Sequence, residues 1–202
     1  MEIVLATKNR HKLREFKQIL DQSDITILSL ENFPGCPETV EDGSSFEENA
    51  LKKAAAVAAF TGRATIADDS GLEVDHLQGK PGIYSARYSG KGADDEKNNV
   101  KLLGELEGLP MDRRGAQFRC VIALVSPEGN HRTVEGTCRG RIAAKPQGSH
   151  GFGYDPLFCD EQSGLTFAEM GPEQKNLISH RSRAIRELKK ILPPFLREFT
   201  SI

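Results

Sequence analysis

Two β-patterned runs, Ala116–Val125 and His131–Ile142, are separated only by Pro127-Glu128-Gly129-Asn130, and this spacing constrains the fold more than any other feature. A turn of that composition between two such runs brings the chain back on itself, so an antiparallel pair is expected. The rest of the chain excludes an all-β fold. Ile3–Ala6 is a short apolar strand, and Leu13, Phe16, Ile19 and Leu20 follow at helical spacing. A second strand is expected over Ile25–Leu28. Ser45-Phe46-Glu47-Glu48 has the form of a capping box and opens a helix to about Phe60, ended by Gly62. Ala64–Ala67 reads as a buried strand ending in a turn at Asp68-Asp69-Ser70-Gly71. Gly79–Gly92 is a long loop, of a length that signals function. Asp94 to Leu106 predicts a polar helix with Val100, Leu103 and Leu106 on one face. The last helix, Pro172 to Leu192, carries Leu177, Ile185, Leu188 and Ile191 and stops at Pro193-Pro194. The class is α/β, a single domain over 1–202, with the antiparallel pair forming a second lobe.

Composition narrows the function. The 27 basic and 29 acidic side chains give a net charge of −2, which argues against a nucleic-acid coat. No apolar run approaches the roughly 20 residues that span a bilayer, and the start of the chain predicts a strand and not a signal peptide. Four scattered cysteines, Cys36, Cys120, Cys138 and Cys159, lack metal-ligand spacing. They fit a reducing, cytoplasmic setting without disulfides.

Five segments carry chemistry. Thr7-Lys8-Asn9-Arg10-His11-Lys12 places cations where a helix begins. The helix dipole is already positive there, so an anion would complete the site. A solvated charged turn has the same composition. Asp68-Asp69 puts two carboxylates side by side, which repel unless a cation or proton intervenes. On an extended chain they point opposite ways, so one is expected to face a metal and the other to serve elsewhere. Ordinary strand-end turns also contain Asp-Ser-Gly. Glu41, in the acidic loop Glu38–Asp42, could add a carboxylate. The loop Pro146–Pro156 combines glycines, which permit close backbone approach, with Phe152 and Tyr154, whose rings could stack on a base. Lys175, Ser179, His180 and Arg181 offer donors near the last helix.

Taken together, these segments resemble the inosine/xanthosine triphosphate pyrophosphatase family of bacterial type. The matching strings are Leu5–Lys12, Phe46-Glu47-Glu48-Asn49-Ala50, Ala67–Leu72, Pro81–Tyr88, Gly151–Pro156 and Ile178–Arg181. Lys8 stands where some members have Gly. The resemblance implies a long twisted mixed sheet flanked by helices, two lobes with a central cleft, and a homodimer. It implies hydrolysis of noncanonical purine nucleoside triphosphates (ITP, dITP, XTP) to the monophosphate and pyrophosphate, which cleanses the nucleotide pool. Residue by residue it assigns Thr7, Lys8, Asn9, Arg10, His11 and Lys12 to the triphosphate, and Glu41 and Asp69 to Mg²⁺, with Asp69 as general base. Asp68 is the second choice for the base, or an outer-shell partner of the metal. Ser70, Phe152, Gly153, Tyr154, Asp155 and Lys175 contact the substrate, with His180 and Arg181 at the keto edge of the base. Two alternatives stay open: a Maf-like pyrophosphatase for modified pyrimidine triphosphates, and a nucleotide sensor without turnover.

Overall fold

A computed structural model describes residues 2–20 and 25–199. The strands are β1 (Glu2–Leu5), β2 (Thr26–Ser29), β3 (Thr65–Val74), β4 (Gly115–Val125), β5 (His131–Ile142) and β6 (Phe158–Asp160). They form one mixed sheet in the order β2-β1-β3-β4-β5-β6. β1 runs parallel to β2 and to β3, with Leu5 opposite Ser29 and Ile66, whereas β6 is antiparallel to β5 with Cys159 opposite Arg141. The helices are α1 (Arg10–Leu20), α2 (Phe46–Thr61), α3 (Asp95–Glu105), α4 (Pro172–Ile178) and α5 (His180–Phe199). The expected hairpin is present: Ser126 donates its N–H to Asn130 at 2.8 Å across the turn that joins β4 and β5.

The chain divides into two compact units, one of Met1–Asp69, Cys120–Gly136 and Arg181–Ile202, the other of Ser70–Arg119 and Thr137–His180. This corrects the expected role of the hairpin. β4 and β5 are not a lobe of their own; each gives one half to each unit, as β3 does.

In the first unit, strand alternation decides which helix packs where. Ile3, Leu5 and Ile66 pack with Phe16 and Leu20 of α1 and Ile185, Leu188 and Leu192 of α5. Val4, Ala6 and Ala67 instead meet Ala50, Ala54 and Val57 of α2. The caps of α2 fall where expected, though the Glu48 carboxylate reaches back to the Ser44 N–H at 2.7 Å and not to that of Ser45. Ser45 accepts the Glu48 N–H at 3.1 Å, and Gly62 closes the helix in the left-handed region at φ 63°. The proline pair does not stop α5, which runs through Pro193-Pro194 to Phe199. Leu192, Phe195 and Leu196 are buried in the core around this point. At about 1.5–3 kcal/mol each, their burial offsets a cost of roughly 3 kcal/mol per interior proline.

The second unit is built around rings. Phe118, Phe158 and Phe167 pack mutually, with centroids 4.7 to 5.8 Å apart. Helix α3 starts at Asp94, whose carboxylate accepts the Lys97 N–H at 2.8 Å. Its buried stripe is Asn98, Leu102 and Leu106. The expected face differs at Val100, which is 66% exposed, because the spacing from 98 and not from 100 points inward. The long loop contains a 3-10 turn, Gly82–Arg87, and short strand β6 had no distinguishing pattern in sequence. The last helical stretch is two helices. Ser179 adopts an extended backbone and ends α4 by donating its N–H to Lys175 at 2.9 Å. All four cysteines are free thiols. Among the described residues no helix is long and apolar enough to cross a membrane.

Candidate active site

The Asp68-Asp69 pair lies inside β3 and not in a turn at its end, since the strand continues to Val74. Placement between β1 and β4 overrides the turn preference of Asp-Ser-Gly. The pleat then sends the two carboxylates to the two helical layers of the first unit, as their adjacency predicts. Asp68, with a side chain wholly removed from solvent, meets Lys12 of α1 at 3.0 Å and the Arg181 Nε of α5 at 3.2 Å. The Arg181 guanidinium also holds Glu15 through Nη1. Asp69 turns to α2, accepting from Asn49 Nδ2 and Lys53 Nζ, each at 3.1 Å. Lys53 reaches Glu41 at 3.2 Å as well, so one ammonium bridges the two carboxylates expected to share a metal.

These surroundings push the neighbours apart. Burial opposes ionisation of Asp68, but the charges of Lys12, Arg181 and Lys53 reverse that effect and hold it well below the usual carboxylate range. For Asp69 burial prevails: Lys53 and Lys12 offset it only in part, Glu41 adds to it, and the pKa is raised. Lys53 shows the complementary balance. Burial lowers its pKa, and Asp69, Asp68 and Glu41 more than compensate, leaving it raised.

The amide of Asn49 is oriented by its own network. Its Oδ1 accepts the Gly43 N–H at 2.8 Å, which leaves Nδ2 for Asp69. A Cβ at Gly43 would stand 2.6 Å from that oxygen, so the acidic loop can approach α2 only with glycine there.

The Thr7–Lys12 turn follows β1 into α1. Asn9 Oδ1 accepts the N–H groups of His11 at 2.9 Å and Lys12 at 3.2 Å, and Thr7 Oγ1 accepts that of Asn9 at 3.2 Å. No acidic residue occupies the first turn of α1. Arg10 and His11 are exposed, and Lys8 pairs with Glu38 in solvent at 3.1 Å. This is a cationic helix start of the kind that suits an anion.

The second unit gathers the others. Lys175 is buried and donates to Asp155 Oδ2 at 2.6 Å, while the same oxygen accepts the Phe152 N–H at 2.9 Å. Its ammonium lies 4.9 Å from the Phe152 ring centre and 5.5 Å from that of Phe167. Gly151 has φ 80°, and a Cβ there would collide with the Asp155 carboxylate. Tyr154 donates its hydroxyl to the Ser85 carbonyl at 3.0 Å. His180 is buried and stacks on Phe118 at 4.6 Å with only 14° between planes. Ser70 follows Asp69 on β3 and is half-buried. The N–H groups of Phe152 and Asp155 are engaged inside the loop.

Sequence reasoning missed Asn49, Lys53, Glu15 and Phe118. Asn49 and Lys53 had a usable signal: they stand four apart on α2, so they share a face. Asn49 sits in the matched Phe46–Ala50 string, and a helix face carrying Asn and Lys four apart could have been paired with the Asp doublet.

In this α/β protein β1 leads through a polar turn to the start of α1, with the buried carboxylates of β3 beside it, an arrangement that suits a phosphorylated small molecule. The relatives narrow that class: the chain belongs to the Ham1 family, whose model matches residues 3–191. A dITP/XTP pyrophosphatase of Geobacter sulfurreducens is 57% identical over 187 residues, covering 93% of this chain and 94% of that one. Among solved structures, the Ham1 protein of Staphylococcus aureus superposes with a TM-score of 0.86 at 42% identity, over 96% of this chain and 99% of that one. A HAM1 protein from Coxiella burnetii gives 0.88 at 40% identity, over 96% and 99%.

Proposed function

We propose that the whole chain acts as one pyrophosphatase domain, hydrolysing dITP, ITP and XTP to the nucleoside monophosphate and pyrophosphate. The observation that carries the assignment of roles is the division of labour inside β3. Asp68 is fully enclosed by Lys12 and Arg181, whereas Asp69 keeps 9% side-chain exposure and faces Asn49, Lys53 and Glu41. Asp69 is therefore the general base and Asp68 the partner that fixes two cations.

The donor set fits a divalent metal. Glu41 and Asp69 already converge on a cation, the Lys53 ammonium, and both are hard oxygen donors. Among the described residues no third metal-binding side chain joins them. Mg²⁺ is commonly held by one or two carboxylates with substrate phosphates completing its shell. We assign Glu41 and Asp69 to Mg²⁺, which when bound neutralises phosphate charge. The residues do the rest. Thr7, Lys8, Asn9, Arg10, His11 and Lys12 bind the triphosphate through side chains and the start of α1. Asp69 orients a water against the α-phosphorus and takes its proton as the bond to pyrophosphate breaks. Lys12 and Lys53 stabilise the charge that develops. Ser70 and Lys175 contact the substrate, and Phe152, Gly153, Tyr154 and Asp155 surround the base. His180 and Arg181 donate to its 6-keto oxygen; adenine presents an amino donor there and leaves donors unpaired. We place the enzyme in the cytoplasm as a homodimer.

Pyrophosphate release from ITP, XTP, dITP, GTP, ATP and the pyrimidine triphosphates, with Mg²⁺ and with chelator, tests this reading. Metal-dependent release from the first three alone is the expected result. Activity confined to pyrimidines supports a Maf-like enzyme, and binding without release a sensor.

A further inference from the structure

Helix α3 grips one residue of the base-binding loop, Gly153, through both of its backbone polar groups. The Gly153 N–H donates to Asp95 Oδ2 at 2.6 Å, and the Gly153 carbonyl accepts from Asn99 Nδ2 at 3.0 Å. Asp95 and Asn99 stand four apart, so one face of the helix presents an acceptor and a donor spaced for the N–H and carbonyl of a single residue. Beside them Asn98 is buried and turned the other way. It accepts the Ser89 N–H at 2.8 Å and donates to the carbonyls of Ser85 and Ala86, each at 3.3 Å. The Ser85 carbonyl is also the acceptor for Tyr154 Oη, and Ser85 Oγ accepts the Leu72 N–H at 2.9 Å. Gly153, α3, the turn Gly82–Arg87 and Tyr154 thus form a closed hydrogen-bonded circuit within the second unit.

A loop holding Gly148, Gly151 and Gly153 has much conformational freedom to lose when a ligand orders it. Fixing it beforehand raises affinity without adding a contact to the ligand. We propose that Asp95 and Asn99 are positioning residues of the purine site, which hold the Gly153 backbone so that Phe152 and Tyr154 stand ready for the base. The inference rests on the assignment of Phe152–Asp155 to the base. Neither residue needs to touch substrate. Their effect should therefore appear on binding of the nucleoside part and leave the triphosphate part alone.

The test uses the full-length enzyme and four variants: Asp95→Ala, Asp95→Asn, Asn99→Ala and Phe152→Ala. Asp95→Ala is expected to raise KM for dITP roughly tenfold while kcat stays within about twofold, the pattern of lost uniform binding. Inhibition by inorganic tripolyphosphate, which carries no base, should not change. Asp95→Asn keeps an acceptor oxygen but no charge, and should return KM to near the parent value. Asn99→Ala should raise KM less, and combining it with Asp95→Ala should give less than the product of the two effects, since both act on one residue. An unchanged KM in Asp95→Ala, with Phe152→Ala still impaired, overturns the positioning role and leaves the base site standing. Loss of tripolyphosphate inhibition in step with the KM rise also overturns it, because that marks general damage to α3. An unchanged KM in Phe152→Ala removes the base-site assignment, and the positioning role with it.

Discussion

The two units solve opposite problems with similar residues. The first unit buries charge against charge: Asp68 and Asp69 with Glu15 and Glu41 are interleaved with Lys12, Lys53 and Arg181. In the second, Lys175 and Asp155 form a buried ion pair set among the rings of Phe152 and Phe167. Removing a partner in the first strands an ion in a low-dielectric interior. Removing Asp155 or Lys175 does the same at one place in the second, and elsewhere in that unit a lost side chain loosens a loop or opens a gap. Electrostatic preorganisation is where transition-state stabilisation is largest, whereas stacking and shape select the ligand. Rate should therefore be lost in the first unit, and affinity or preference in the second.

The largest effect is expected at Asp69. Asp69→Asn keeps the shape, and an acceptor oxygen for one of the two donors Asn49 and Lys53, but removes the proposed base, so kcat for dITP should fall about 10²–10⁴-fold with the fold intact. Near-normal turnover, measured as pyrophosphate release, would break the contrast at its strongest point. Asp68→Asn comes next and should act on stability first. It leaves Lys12 and Arg181 facing a neutral amide, and losing one member of a buried ion cluster costs on the order of 3–5 kcal/mol. Urea unfolding, compared with Asp155→Asn in the second unit, gives the relative size. A larger loss at Asp155 would show that the second unit depends on charge as much as the first.

How much of this was legible in the sequence follows from the same contrast. The hairpin was, because its turn and its two runs agree, and α2 was, because both caps are written locally in Ser45, Glu48 and Gly62. The adjacency of Asp68 and Asp69 also foretold that they face opposite layers. The continuation of β3 through that pair was not legible, since Asp, Ser and Gly locally favour a turn and only the neighbouring strands hold them extended. Passage of α5 through Pro193-Pro194 was hidden for a similar reason: its support comes from the burial of Phe195 and Leu196, a tertiary matter. Lys53 was missed because a lysine on a helix is ordinarily solvent-facing, and its inward turn becomes visible only beside Glu41 and Asp69. Likewise the ion pair of Arg181 with Glu15 joins residues far apart in the chain.

In the second unit Phe152→Ala should raise KM for dITP by the worth of a base–aromatic stack, about 1–3 kcal/mol or roughly 5- to 150-fold, with a small change in kcat. A fall in kcat as large as that of Asp69→Asn would mean that ring packing and chemistry are not separable here. The inosine/adenosine preference sharpens the point further. His180→Ala should lower the ratio of kcat/KM for dITP over dATP, since a lost donor weakens only the keto substrate. An unchanged ratio would exclude His180 as a reader of that edge.

Salt should give the smallest difference. Lys8 and Arg10 at the start of α1 are exposed, so their attraction for a polyanion is screened as the Debye length shrinks from about 10 Å at 0.1 M to about 3 Å at 1 M. Stacking on Phe152 carries no such dependence. Inhibition by inorganic tripolyphosphate should therefore weaken several-fold across that range, while inhibition by inosine, which has no phosphate, moves by about twofold at most. Charge reversal at the exposed positions, Lys8→Glu with Arg10→Glu, should flatten the salt response of tripolyphosphate and leave that of inosine unchanged. If both inhibitors respond equally, the base is also held by charge, and Lys175 is then the cation to examine, since it sits over the Phe152 ring.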